Sequence, residues 1–308
     1  MEVYILPKFR LLDMSKDLIE YRNLHNKLFV TSDISFRWID WWFTTVHCGK
    51  VRIYGAFCDD ILVGIWGVEP RKLCISDEPI NVGRCFAVGI QKDHRQLGLF
   101  KALSKFALQS ERELGEYEYI VGFPQRGRTV LKGHFSAGWY PVQEIDVYEC
   151  SNARFLTENS PAFRTFMGPA ENSAYLMYKH KKVPGTFYKW QHTRWTYHPQ
   201  HHYIPIVLAG AAEGYAVLKQ YGDWAHIVAL EEPEILKLLL SAMSLGSHHG
   251  WSKLNMWCAD NSPHKAIIIA SGFIKTSDAI QMIAYNVNAE KDLKLQVCNI
   301  QMGIEEMY

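Results

Sequence analysis

The sequence predicts an α/β protein, a mixed sheet with helices on both faces, followed by a second, degenerate copy of the same arrangement. Three observations carry this prediction. Residues 85–109, CFAVGIQKDHRQLGLFKALSKFALQ, read as a buried strand that passes through a polar turn into a helix. The apolar residues Leu99, Phe100, Leu103, Phe106 and Ala107 recur there at helical spacing. Helices and antiparallel strands precede this stretch, and strand, helix and strand follow it. The order strand, helix, Gly-aromatic pair, strand over 117–150 then recurs over 253–287.

In chain order, residues 1–31 read as a short strand and then a helix from Ser15, whose hydroxyl suits a cap, with Leu18, Tyr21, Leu24 and Leu28 on its apolar face. Residues 35–45 form a helix dense in aromatics, including Phe36, Trp38, Trp41, Trp42 and Phe43. Strands 51–58 and 61–74 are joined at Asp59-Asp60, and a turn at 77–79 leads into strand 80–90. A helix opens near Gln96, and 117–123 is an apolar strand closed by Pro124. Helix 129–137 ends at Gly138-Trp139, and 140–150 alternates as a strand. Pro161, Gly168, Pro169 and Pro184 break the pattern, so 151–183 reads as a linker. Beyond it come strands 214–219 and 224–230, helix 233–245, strand 253–258, helix 263–270 ending at Gly272-Phe273, and strand 280–287. The expected domains are 1–150 and 184–308.

Composition narrows the function. A net charge of +1 over 308 residues argues against a nucleic-acid binder, which carries a basic excess or stripe. The seven cysteines include no C-x-x-C pair and no zinc spacing, and read as reduced thiols. The N-terminal stretch has neither a basic start with a long apolar run nor a small-residue cleavage site, and no apolar run approaches the roughly 18 residues that span a bilayer. The expected location is the cytoplasm.

A strand, a tight turn and a helix aim unpaired backbone amides and the positive end of a helix dipole at phosphate, and Gly98 lets the backbone approach it. The hexapeptide Arg95-Gln96-Leu97-Gly98-Leu99-Phe100 resembles the R/Q-x-x-G-x-G/A signature of the GNAT superfamily of N-acetyltransferases, with Phe100 where that signature has a small residue. Gly138-Trp139 resembles the superfamily's Gly-Phe pair, and His134 stands at the position of its proton-donating tyrosine. The resemblance spans about residues 28–150. It implies an acyl-coenzyme A co-substrate, its pantetheine arm along Val88 and Ile90 and its pyrophosphate at Arg95, Gln96, Leu97, Gly98, Leu99 and Phe100. It also makes His134 the candidate catalytic residue, since imidazole titrates near neutral pH and can take or return a proton.

Arg126 and Arg128, just after Pro124, are candidates to clamp an anionic acceptor, and a solvated helix start is the competing reading. Trp41 with its neighbours Trp38 and Trp42 offers either core packing or a stacking surface for the acceptor. Asp77 and Glu78 read as a solvated turn or as a general base. His192, His198, His201 and His202 lack acidic or thiol partners at ligand spacing, so no metal is expected. The tandem arrangement resembles bacterial acyltransferases that acylate nucleotide-linked amino sugars for surface polysaccharides such as O-antigen. The implied activity is transfer of an acyl group, acetyl or longer, from acyl-CoA to the amine of such a sugar. Another small amine or a peptide or cell-wall precursor is the alternative acceptor, and a non-catalytic binding module is the alternative outside enzymes. The second copy lacks the signature and has Ile268 four residues before Gly272, so it is expected not to bind coenzyme A. Homo-oligomerisation is left open.

Overall fold

The computed structural model describes the chain apart from residues 1–6, 31–32, 45–48, 76–77, 96–97, 156–160, 162, 166–197, 209–214, 232–233, 291 and 294–308. It divides into two compact units. Among the described residues the first comprises 7–142 and 282–293, and the second lies within 143–281.

The first unit is built on strands β1 (Lys8–Leu11), β2 (Arg52–Cys58), β3 (Ile61–Ile75), β4 (Glu78–Ile90) and β5 (Tyr119–Gly122). β1 to β4 pair antiparallel in sequence, and β5 lies parallel to β4. The β2–β3 turn is the two-residue Asp59-Asp60, both at positive φ, which matches the twist of a hairpin. Alternation along the strands divides the core. Ile65 and Phe86 face helices α1 (Leu18–Leu28) and α2 (Phe36–Thr44), where Trp38, Trp41 and Trp42 pack. Trp66, Val68 and Cys85 face α3 (Leu99–Leu114) and α4 (Thr129–Ser136). Helix α3 presents Leu99, Leu103, Ala107 and Leu108 to the sheet and stops at Gly115, whose left-handed backbone lets its N–H close onto Glu111. Ser15 does not cap α1. Its hydroxyl donates to Asp13 (2.6 Å), and the helix begins after Asp17, whose carboxylate is held by the Asp13 N–H (2.7 Å) and by Arg10.

The second unit contains β6 (Tyr140–Ser151) from residue 143, β7 (Phe163–Thr165), β8 (Tyr203–Leu208), β9 (Tyr215–Tyr221), β10 (Trp224–Glu231), α5 (Ile235–His249), β11 (Lys253–Ala259) and α6 (Lys265–Ala270). β12 (Ile274–Asn286) contributes its first part. β7 to β10 are antiparallel neighbours, β10 and β11 are parallel, and β11 is antiparallel to β6. Leu238, Leu239, Met243 and Trp251 fill the core under α5. β8 was not anticipated from the sequence, because Pro205 interrupts the run YIPIVL. Most of the segment expected to be a linker lies outside the described residues.

The expected boundaries at 150 and 184 describe contiguous domains, and the compact units are not contiguous. The end of β12, from Ile283 to Asn286, pairs antiparallel with β5 in the first unit. The strand after α4 pairs instead with β11 in the second. The first unit therefore takes its last strand from the far part of the chain, and β6 opens the second.

Candidate functional site

β4 and β5 run together only from Val82↔Tyr119 to Arg84↔Val121. β4 then continues against β3 alone among the described residues, so the ladder between the two parallel strands has a gap beyond Arg84 and Val121. Within this stretch the register jumps from Gly67↔Phe86 to Ile65↔Gly89, an extra residue that forms a bulge. Ala87 sits in it at φ 47°, a left-handed backbone that costs a non-glycine residue of order 1–3 kcal/mol. Such strain persists only where the surroundings impose it, and here the bulge shifts the register of the strand end, Val88 to Ile90, against β3. Val88 is half-buried and Ile90 is buried toward α3 and α4.

After β4 a single 3-10 turn (Lys92–His94) leads to Arg95, whose Nε donates to the Ile90 carbonyl (2.9 Å). Gln96 and Leu97 lie outside the described residues. Gly98 caps α3 at φ 72°, with open space where a Cβ would stand and no side chain capping the helix. The first helical bond runs from Ala102 to Gly98, so the amides of Leu99, Phe100 and Lys101 have no carbonyl within the helix. Around this helix start Lys92, Arg95, Lys101, Lys105, Arg126, Arg128 and Lys132 are all exposed, against Asp93 as the acid in the same two segments. In a chain whose net charge is +1, that concentration makes a local positive field. Arg128 precedes α4 and is tied through Nε to Gln125 (2.8 Å).

Phe100 turns toward α4, with its ring 5.4 Å from that of His134 and edge-on to it. His134 is buried, also meets the Trp139 ring at 4.8 Å, and keeps Nδ1 without a hydrogen-bond partner. Burial lowers its pKa to about 4, so the imidazole is neutral at neutral pH. Trp41 is buried against Trp38 and Trp42, so its ring faces are occupied by the core rather than offered to a ligand. Of the residues named as a base, Asp77 lies outside the described residues and Glu78 opens β4 opposite Ile75. His198 Nδ1 accepts the Gln200 and His201 amides of its own turn, and His192 is outside the described residues. No cluster of potential metal ligands occurs among the described residues.

Sequence reasoning missed two features. One is the Ala87 bulge. The other is a buried ion pair just before it: Arg84 of β4 donates from Nε to Glu69 of β3 (2.8 Å), and Arg71 also binds that carboxylate. The Arg84 guanidinium lies 5.4 Å from the centre of the Trp42 ring. A lone arginine in the apolar run VGRCFAV was the available signal.

No protein-family model matches the sequence, and no curated protein matches it. Solved structures do match. A probable N-acyltransferase from Enterococcus faecalis aligns with TM-score 0.67 and 13% identity over 92% of this chain and 73% of its own. A GCN5-related N-acetyltransferase from Anabaena variabilis aligns at 0.63 and 14% over 91% and 73%. A tandem GNAT protein from the clavulanic acid biosynthesis pathway aligns at 0.63 and 13% over 93% and 100%. The chain has the tandem GNAT fold. In GNAT terms the second unit repeats the layout, with β10 parallel to β11 and a register shift in β10 between Ile227 and Ala229. Its helix start differs in charge. Glu234 caps α5 where the first unit has Gly98, which sets a carboxylate where a phosphate would sit.

Proposed function

We propose that the chain is an acyl-CoA-dependent N-acyltransferase whose acyl-CoA site is in the first unit. The observation that carries this is the combination at the end of β4: parted parallel strands, a bulge, and an uncapped helix start at a left-handed glycine within a basic surface. These residues fit the coenzyme. Gly98 leaves room for a diphosphate, the amides of Leu99 to Lys101 supply donors, and the seven bases supply opposite charge. The coenzyme, when bound, supplies an acyl thioester.

The remaining chemistry belongs to the chain. The backbone of Val88 to Ile90 orients the reacting group in the gap, and the rings of Phe100, His134 and Trp139 keep water from it. An imidazole that burial holds neutral begins and ends the reaction uncharged. His134 therefore acts as a relay, taking the proton that the amine loses as the amide bond forms and passing it to the sulfur that leaves as the thioester bond breaks, and does not store it. The acceptor is a small amine. On the nucleotide-linked amino-sugar reading, Arg126 and Arg128 meet its diphosphate, and the support for that reading is their exposure in the loop that leads from β5 to α4. Trp41 has no part in it.

The test is a thermal-shift titration with coenzyme A, then acetyl-CoA with a panel of nucleoside diphosphates. A ligand at 100 times its Kd stabilises by about 2.7 kcal/mol. Absence of any shift with coenzyme A would refute the acyl-CoA site, and equal shifts with and without every nucleotide would refute the nucleotide-linked acceptor. His134→Phe keeps a ring of similar size and removes the nitrogens. It should lower turnover about 100-fold with the coenzyme A affinity unchanged, and wild-type turnover would remove the relay.

A further inference from the structure

We propose that Gly133 of α4 is the seat of the Phe100 ring, and through that ring keeps the phosphate-binding turn at the head of α3 open. This rests on the acyl-CoA reading above. Glycine inside a helix weakens it, and Gly133 is not among the glycines at positive φ, so backbone geometry does not call for it. Contact does. A Cβ at position 133 would stand 2.6 Å from Phe100 Cε1 and 2.9 Å from Cδ1, closer than such atoms pack.

Phe100 is the second residue of α3, and helical side chains lean toward the N-terminus and cover the turn before their own Cα. A Phe100 ring expelled from α4 therefore comes to lie over the first turn, where Gly98 and the amides of Leu99 to Lys101 face outward. The large side chain at 100 is thus compensated by the missing one at 133. Gly133 is a positioning residue: it touches no ligand and acts through Phe100.

The experiment measures the Kd for coenzyme A by calorimetry in the full chain. The variants are Gly133→Ala, Phe100→Ala and the double substitution, each shown by circular dichroism and thermal unfolding to be folded at the assay temperature. Gly133→Ala should weaken coenzyme A binding by about tenfold or more. Phe100→Ala is the reference for the double variant, and adding Gly133→Ala to Phe100→Ala should leave its affinity unchanged. Unchanged affinity in folded Gly133→Ala, or a loss that Phe100→Ala does not rescue, overturns the proposal. If Gly133→Ala does not fold, Phe100→Trp, whose ring exceeds the seat, carries the test, and wild-type affinity there overturns the proposal equally. A wild-type chain that fails to bind coenzyme A instead overturns the acyl-CoA reading and this inference with it.

Discussion

Helix α3 carries the candidate site at its head and is held to the sheet near its tail by a buried network centred on Glu111. The Glu111 carboxylate has no exposed surface and accepts Arg52 Nε (2.8 Å), Arg52 Nη2 (2.6 Å) and the Tyr54 hydroxyl (2.7 Å). Burial acts to lower the Arg52 pKa, but its bonds and charge interactions with Glu111, Tyr117 and Glu116 together outweigh that and raise it; burial and the Glu111 charge together raise that of Tyr54. Glu111→Ala would leave a buried guanidinium without its main partner, a loss of about 3–5 kcal/mol in comparable pairs. Arg52 Nη1 keeps Glu116 (2.7 Å), whose carboxylate is half-exposed, so the lower end, about 3 kcal/mol, applies. At 2–4 °C per kcal/mol for a unit of this size, Tm should fall by about 6–12 °C. Thermal and urea unfolding measure it, and Arg52→Met with Glu111→Leu, an apolar replacement of both partners, should recover most of the loss. A Glu111→Ala cost below about 1 kcal/mol, or a double variant as unstable as the sum of the singles, would refute the reasoning.

Burial lowers the pKa of His25, His134 and His201 to about 4 and that of His226 to about 3. The unfolded chain then binds more protons between pH 6.5 and 4, so stability is full above 6.5 and declines as pH falls through that window, by up to roughly 3 kcal/mol for His134 alone. Urea midpoints at pH 7.5, 6 and 5 check this, and a flat profile would contradict it. Ala87→Gly should be tolerated in the bulge, whereas Ala87→Val, β-branched at φ 47°, should cost about 1–3 kcal/mol and weaken coenzyme A binding; an unaltered valine variant would show that the bulge bears no strain. A chain ending at residue 281 keeps all the candidate site residues but loses the strand that pairs with β5. It should lose coenzyme A binding and hydrogen-exchange protection at Ile120 and Val121, and wild-type binding would sink that expectation.

Local pattern determined much of this protein from sequence. Helical spacing in α3, glycines after α3 and α4, the Asp59-Asp60 turn and the strand-turn-helix at Gly98 are all set by neighbours within a few residues, which is the range over which periodicity and turn chemistry act. The candidate site was legible only as secondary structure: Val88 and Ile90 fall in β4, Gly98 at the head of α3 and His134 in α4. Trp41 went to the core, because an aromatic on the buried face of a helix packs wherever the sheet offers apolar surface. Tertiary structure alone decided which strand pairs with which. β6 and β12 both follow a short helix and a Gly-aromatic pair, so nothing local distinguishes their partners, yet one completes the second unit and the other the first. It also decided the Ala87 bulge, the Arg52–Glu111 and Arg84–Glu69 pairs and the fit of Phe100 against Gly133. These join residues 15 to 59 positions apart, whose contact depends on how the layers pack, and no short-range pattern encodes that.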